Sequence, residues 1–184
     1  PSLAPNINAA TARVFDKLGI ELFEEARAGC CGAVRFHLND HETAKNDMRR
    51  NVDAWWPHIE AGVEAIVVTA SGCGVQVRDY GHILADDTLY AEKAAKISSL
   101  SRDPSEVLAG EKAALLPLLA ARPERRGKLA FHSPCTLQHG LQIRGSIEVL
   151  LKSAGYDLTP VADSHLCCGS AGTYSILQPE LSQQ

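Results

Sequence analysis

The sequence of 184 residues has no long hydrophobic segment, and apolar runs such as Ala65–Val68 end after a few residues. A membrane-spanning helix needs about 20 apolar residues, and the first residues lack the charged start and apolar middle of a signal peptide. We therefore expect a soluble, cytoplasmic protein without a transmembrane segment. Basic residues are also few: 18 Lys and Arg stand against 22 Asp and Glu, and the net charge is −4. This balance argues against nucleic acid as a partner.

Common nucleotide and hydrolase motifs are missing as well. The sequence contains no G-x-G-x-x-G fingerprint, no P-loop and no G-x-S-x-G elbow. Dinucleotide binding, nucleotide hydrolysis and serine-hydrolase chemistry therefore lack support. Hydrophobic residues nevertheless make up 45% of the chain, which is enough to build the core of one large or two small domains.

Cysteine is the residue type that is present in an unusual pattern. The six cysteines are Cys30, Cys31, Cys73, Cys135, Cys167 and Cys168. Four of them form vicinal pairs, a spacing at which a disulfide is strained, and we expect no export signal. Clustered thiols in a reducing compartment more often bind metal or take part in redox chemistry than form disulfides.

Hydrophobic periodicity predicts helices that alternate with strands. The expected helices lie near residues 6–18, 39–59, 75–80, 104 onward and 138–154, and the expected strands near 20–23, 64–70, 129–132 and 156–159. Helix-start signals are Asn39 with Glu42 and Asp103 with Glu106. This alternation predicts an α/β fold with mainly parallel sheets and flanking helices, whose ligand sites lie beyond the carboxyl ends of the strands.

The order helix, glycine, strand, loop, Cys-Cys-Gly occurs twice. Gly19 precedes Cys30–Gly32 at nearly the distance at which Gly155 precedes Cys167–Gly169. Internal similarity of this kind predicts two similar halves, residues 1–100 and 101–184, related by a pseudo-twofold axis, with both Cys-Cys-Gly loops at the carboxyl ends of strands.

Each half contributes three cysteines to its expected site. We predict that Cys30, Cys31 and Cys73 converge on one site, and that Cys135, Cys167 and Cys168 converge on a second. The repeat places the counterpart of Cys135 just before Pro1 and the counterpart of Cys73 beyond Gln184. We therefore expect the first half to be truncated at its N-terminus and the second at its C-terminus.

Three sequence segments resemble a known family. They are T-A-S-G-C-G-V-Q-V at residues 69–77, H-S-P-C-T-L-Q-H-G at 132–140 and C-C-G-S-A-G-T-Y-S at 167–175, with a C-x31-C-C-G spacing from Cys135 to Gly169. They are similar to the cysteine-rich CCG domain of heterodisulfide reductase B subunits, lactate-utilisation proteins and glycolate oxidase iron–sulfur subunits, and the likeness to the last group is the greatest.

The resemblance implies a part of an iron–sulfur electron-transfer subunit of a glycolate oxidase. Such a subunit passes electrons from flavin-containing subunits towards the respiratory chain, and the complex can associate with the inner face of the cell membrane. All six cysteines would then be ligands of 4Fe-4S type clusters, and no residue of this chain would be catalytic by itself.

Two departures from the family pattern bear on the cofactor. Family members carry two ferredoxin-type clusters in a preceding region rich in C-x-x-C-x-x-C, and this sequence has no such run. Some relatives have C-x-x-C where this chain has Cys73 alone. A four-thiolate cluster and zinc are therefore alternatives to a five-thiolate cluster as the cofactor of this site. With three thiolates at each site we expect this stretch of chain alone to hold no stable cluster, or to hold zinc.

Two other function classes compete with electron transfer. The cysteines of a structural zinc or subunit-docking module would only hold the fold. In a thiol-based reductase, a cysteine of low pKa at a helix start would react directly with substrate.

Several histidine and aromatic residues are candidates for functional contacts, but each can also be explained by packing or solvent exposure. His132, His139 and His165 are candidates to contact cluster sulfurs, but a single histidine near a strand end is more often packed or solvated. Of Trp55 and Trp56, one falls on the apolar helix face and the other is a candidate for a subunit contact.

Overall fold

The computed structural model of the chain describes residues 4–121, 127–166 and 174–183. Helices joined by loops, with two small parallel sheets, make up this part of the chain. The helices are α1 (Pro5–Lys17), α2 (Ala33–His37), α3 (His41–Glu60), α4 (Ser71–Arg78), α5 (Tyr80–Ile83), α6 (Ala91–Leu100), α7 (Pro104–Gly110), α8 (Lys112–Ala120), α9 (Ser146–Ser153), α10 (Tyr174–Leu177) and α11 (Pro179–Ser182), with a π-helix at Thr136–Gly140. The strands are β1 (Ile66–Val67), β2 (Ser101–Arg102), β3 (Lys128–Ala130) and β4 (Asp157–Thr159).

Both sheets are parallel pairs, as the alternation of helices and strands predicts. In the first sheet Ile66 lies opposite Ser101, and in the second Leu129 lies opposite Leu158. The helices between two paired strands carry the chain back to the end of the sheet where the first strand began, so that the second strand runs in the same direction. The α/β class is therefore confirmed, and the first sheet extends past residue 100 because β2 begins at Ser101.

The main core forms around the apolar face of α3. Ala44, Met48 and Val52 recur at helical spacing and are fully buried. They pack against buried residues of α4 to α6, which are Val77, Tyr80, Leu84, Ala94 and Ile97. The helix continues through Pro57 to Glu60, and Trp55 packs against the core, as expected for one member of the tryptophan pair.

A second, smaller core surrounds the π-helix. Its buried members are Leu137, Leu141 and Ile143, and Val75 of α4 packs against them. A Cβ atom on Gly140 would lie 2.5 Å from Val75 Cγ2, so the absence of a side chain allows the π-helix to approach α4. These contacts join α4, which follows β1, to the Cys135 segment, which lies between β3 and β4.

The segment at residues 20–23, which the alternation predicts as a strand, is irregular. The Ile20 N–H donates to the Phe15 carbonyl just past the end of α1, and no strand partner lies beside this segment among the described residues. Side chains fix the following loop instead: Glu25 accepts from Arg27 and pairs with His58 of α3 at 2.5 Å. The sequence prediction of a strand leading into the first Cys-Cys-Gly is therefore wrong.

Two predicted helix boundaries also differ. Helix α3 starts at His41 with Asp40 as its N-cap, and neither Asp40 nor a capping box at Asn39 supplies a side-chain bond to the helix start. The expected helix over 138–154 is divided into the π-helix and α9, because Gln142 and Gly145 adopt positive φ angles of 61° and 76°. By contrast, Asp103 and Glu106 form the expected capping box of α7.

Among the described residues, the helices are too short or too polar to cross a membrane.

Candidate functional site

The first Cys-Cys-Gly forms a turn between the irregular segment and α2. Cys30 is exposed, whereas Cys31 is buried and belongs to the main core. Gly32, the N-cap of α2, has a φ of 85°, and a Cβ atom there would lie 2.9 Å from the Ala44 carbonyl oxygen. Glycine at this position therefore allows the turn to lie directly on α3 in a left-handed conformation.

Cys73 lies opposite this turn, in the first turn of α4. The chain leaves β1 at Val67 and enters α4 at Ser71, so Cys73 is placed near a helix start, where the dipole favours a thiolate. The thiols of Cys31 and Cys73 interact with each other. Interaction with the Cys31 thiol lowers the pKa of Cys73 to about 7, and the same interaction together with burial raises the pKa of Cys31.

Backbone amides of the turn point towards its sulfur atoms. The Gly32 N–H donates to Cys30 Sγ at 3.5 Å. The Ala33 N–H interacts with the Cys31 thiol and opposes the rise in the pKa of Cys31. Amide donors of this kind stabilise sulfur that carries negative charge.

A buried polar pair holds the other side of the turn. The Asn51 side chain of α3 contacts Gly29, Cys30 and Tyr80, and the Tyr80 hydroxyl donates to the Cys31 carbonyl. Sequence reasoning missed both residues. The available signal was an asparagine next to Val52 on the apolar stripe of α3, where a polar side chain needs buried partners.

The donor set of the first site fits an iron–sulfur cluster or zinc in its chemistry. Soft thiol ligands come from two adjacent elements, the turn with Cys30 and Cys31 and the helix start with Cys73. Backbone N–H groups of the turn are directed at sulfur. Cys30 is exposed, Cys73 is half-buried and Cys31 is buried. Within the described ranges, no three His, Cys, Asp or Glu side chains are placed to hold a single metal ion.

Cys135 lies at the start of the π-helix, which contacts the helix α4 that carries Cys73. It is half-buried and directly precedes Thr136, whose hydroxyl bonds Ser71 of α4 at 2.7 Å. Cys167 and Cys168, its expected partners, lie outside the described residues. The convergence of this second trio therefore stays a prediction.

The candidate histidines make contacts in the second half of the chain. His139 Nε2 lies 3.3 Å from the His165 carbonyl oxygen, which it reaches as a donor, and Arg144 approaches its Nδ1 at 3.4 Å. His132 is exposed after β3. Tyr174 is also largely exposed, at the start of α10.

A half-open cavity of about 410 Å³ lies where β3 and β4 end. The lining includes Phe131 and Thr159 at the strand ends and the charged side chains of Arg144, Glu148 and Lys152. The carboxyl ends of parallel strands are the expected place for such a cavity.

The sequence profile of the CCG cysteine-rich domain matches residues 1–78 and 129–184. The chain belongs to this family, and its two matching segments contain the two Cys-Cys-Gly motifs.

Three relatives show how far the sequence similarity extends. The chain is 54% identical over 184 residues to the glycolate oxidase iron-sulfur subunit of Escherichia coli (strain K12), covering 100% of this chain and 44% of that protein. It is 29% identical over 179 residues to the probable glycolate oxidase iron-sulfur subunit of Bacillus subtilis (strain 168), covering 96% and 39%. It is 25% identical over 184 residues to lactate utilization protein A of Exiguobacterium sp. (strain ATCC BAA-1283 / AT1b), covering 100% and 72%. The chain thus spans less than half the length of the first two relatives.

Proposed function

We propose that this chain is part of the iron–sulfur subunit of a glycolate oxidase. In this proposal the subunit receives electrons from flavin-containing partner subunits that oxidise glycolate and passes them towards the respiratory chain, in the cytoplasm or at the inner face of the cell membrane. Support comes from the 54% identity along the whole chain to a protein of that name. The observation that carries the proposal is the meeting of Cys31 and Cys73, from separate elements, beside amides directed at sulfur.

The six cysteines are the proposed ligands. Cys30, Cys31 and Cys73 would hold one cluster of the 4Fe-4S type, and Cys135, Cys167 and Cys168 would contribute to a second. When bound, an iron–sulfur cluster supplies one-electron oxidation and reduction at a potential that the protein sets. The role of this chain is to present thiolates, to direct N–H groups at sulfur and to shield one side of the site with the core around Cys31.

We also propose that the chain divides into two similar halves near residue 100, each holding one site. The parallel sheet of each half supports this division, with β2 completing the first sheet at residues 101–102. A division of this kind predicts that damage to one cysteine trio leaves the other site intact.

Metal and sulfide analysis tests the proposal. The full-length protein is purified without oxygen, its iron and acid-labile sulfide are measured, and its reduced form is examined by electron paramagnetic resonance. We expect iron and sulfide in equal amounts, and we expect Cys31→Ser and Cys135→Ser each to remove the signal of one site. Tyr90→Phe, a surface change, serves as the control and should keep both signals.

Three outcomes would contradict the proposal. Zinc without sulfide would favour a structural zinc or docking module. Thiols that react directly with a substrate in a protein without iron would favour a thiol-based reductase. Clusters that glycolate and the flavin-containing subunits fail to reduce would exclude the glycolate oxidase role while leaving an iron–sulfur protein in place.

A further inference from the structure

The side chain of Asn51 is buried beneath the Cys-Cys-Gly turn and uses all of its polar groups there. Only 1% of the residue is exposed. Its Oδ1 accepts from the Gly29 N–H at 2.8 Å, and its Nδ2 donates to the Cys30 carbonyl at 2.9 Å and to Tyr80 Oη at 3.0 Å. A fully bonded amide in a core fixes its surroundings, because each lost bond leaves a buried polar group unpaired.

Tyr80 extends the same network to the second cysteine. Its hydroxyl donates to the Cys31 carbonyl at 2.9 Å, and the residue is fully buried. The ring lies nearly parallel to that of Trp55, with 18° between the planes and 6.5 Å between the centroids. The hydroxyl is therefore held in place from both ends, by packing at the ring and by Asn51 at the oxygen.

The network determines where the amides of the turn point. The C=O and N–H groups of a trans peptide point in opposite directions, so a carbonyl held in the core turns the next N–H outward. Tyr80 holds the Cys31 carbonyl, and the N–H of the same peptide, that of Gly32, bonds Cys30 Sγ. The carbonyls of both cysteines thus face the core while N–H groups face the sulfur atoms.

We propose that Asn51 and Tyr80 are positioning residues that keep the amides of the Cys30–Gly32 turn directed at the cysteine sulfurs, and that they thereby raise the reduction potential of the bound cluster. This inference rests on the proposed function for its second part only. Hydrogen bonds to sulfur stabilise the more negative, reduced cluster, so loss of the network lowers the potential.

The first test uses the metal-free full-length protein. Tyr80→Phe removes only the hydroxyl and keeps the ring, and the matched control Tyr90→Phe removes a hydroxyl that bonds Asp53 at the surface. Hydrogen exchange of the peptide that covers residues 29–33 is followed by mass spectrometry. We expect exchange about tenfold faster in Tyr80→Phe than in the control, because a buried carbonyl loses its donor.

An isosteric change at Asn51 provides the second variant. Asn51→Asp replaces the Nδ2 donor by an oxygen and should accelerate exchange in the same peptide more than Tyr80→Phe does. Thermal unfolding of each variant shows whether the fold persists, and peptides from α9 serve as the internal reference. Exchange in residues 29–33 that matches the Tyr90→Phe control in both variants would overturn the positioning role.

The second test uses the cluster-loaded protein. The midpoint potential is measured by redox titration with electron paramagnetic resonance, and iron and sulfide contents are measured beside it. We expect a more negative potential in Tyr80→Phe at unchanged iron and sulfide content, and no change in Tyr90→Phe. An unchanged potential despite faster exchange would refute the effect on the cluster. Faster exchange in a protein that binds zinc alone would refute the proposed function and leave the positioning role standing.

Discussion

Ser71 Oγ and Thr136 Oγ1 lie 2.7 Å apart, across the contact between α4 and the π-helix. Ser71 belongs to the helix turn that carries Cys73, and Thr136 directly follows Cys135. The bond therefore joins two cysteine segments that the sequence repeat assigns to different sites.

A double-mutant cycle measures the strength of this link. Ser71→Ala and Thr136→Val remove one hydroxyl each, and we expect a coupling of about 0.5–1 kcal/mol because a neutral bond at an exposed position contributes little net stability. Urea unfolding of the single and double variants gives the value. Ser99→Ala, whose hydroxyl bonds the Lys96 carbonyl of its own helix, should show no coupling with Thr136→Val. If the Ser71/Thr136 and Ser99/Thr136 cycles gave equal coupling energies, the bond between Ser71 and Thr136 would not stabilise the protein.

Met48 is the residue of α3 whose truncation should cost most. It is fully buried at the centre of the main core. Met48→Ala should lower the free energy of unfolding by about 2–5 kcal/mol, because the cavity it leaves adds to the lost burial. Leu89→Ala, at a position that is 78% exposed, should stay within about 0.5 kcal/mol of the parent. Urea unfolding compares the two, and similar losses would contradict the assignment of the core.

Alanine substitutions at Gly32 and Gly62 distinguish the cost of backbone strain from the cost of a steric clash. Both have positive φ, 85° and 98°, but a Cβ atom would meet the Ala44 carbonyl oxygen only at Gly32, while nothing lies within 4 Å at Gly62. Gly62→Ala should cost about 1 kcal/mol through the left-handed backbone. Gly32→Ala should cost roughly 1–2 kcal/mol more, because the turn must move away from α3. Equal decreases in the free energy of unfolding, measured with urea, would show that the close approach of the Gly32 turn to α3 is not needed for stability.

Glu25 should make the stability of the protein dependent on acid pH. Its bonds to Arg27, and then to His58, lower the pKa of this carboxyl to about 2 from an ordinary value of 4.5. A carboxyl with a depressed folded-state pKa stabilises the fold above its unfolded pKa, and the contribution is lost as the pH falls through the folded value. Glu25→Gln should therefore be less stable than the parent at pH 6, and the difference should vanish between about pH 4.5 and 2.

Thermal unfolding over this pH range checks the Glu25 prediction. The bond from Arg27 is the largest cause of the lowered pKa. In an Arg27→Gln background, the effect of Glu25→Gln should therefore shrink. A difference between parent and Glu25→Gln that persists unchanged at pH 2 would disprove the electrostatic origin.

Local sequence patterns predicted those elements whose cause is local. The apolar spacing of Ala44, Met48 and Val52 indicated α3, and the branched residues at 66–67 indicated β1. The prediction of a strand at 20–23 was wrong because alternating apolar and polar residues show only that a segment can pair. A strand also requires a neighbouring strand to pair with. The break between the π-helix and α9 escaped prediction because Gln142 adopts a positive φ that its residue type does not signal.

For the candidate site, the repeat marked the cysteines as candidate ligands but did not indicate the residues that surround them. The pairing of Cys31 with Cys73 is consistent with the assignment of both to one trio. The roles of Asn51 and Tyr80 depend on contacts between α3, α5 and the turn, which are distant in sequence. A polar residue on the apolar stripe of α3 indicates that Asn51 is buried, but only the folded chain shows which groups it and Tyr80 contact.

The pairing of strands that follow one another along the chain has a consequence for the folding pathway. Strands β1 and β2, like β3 and β4, are separated by segments of roughly thirty residues, so the entropy lost on closing either loop is moderate. The contact of Ser71 with Thr136 spans 65 residues. Contacts of greater sequence separation form more slowly. We expect each half to collapse on its own nucleus first, and the junction between α4 and the π-helix to form in a later kinetic phase.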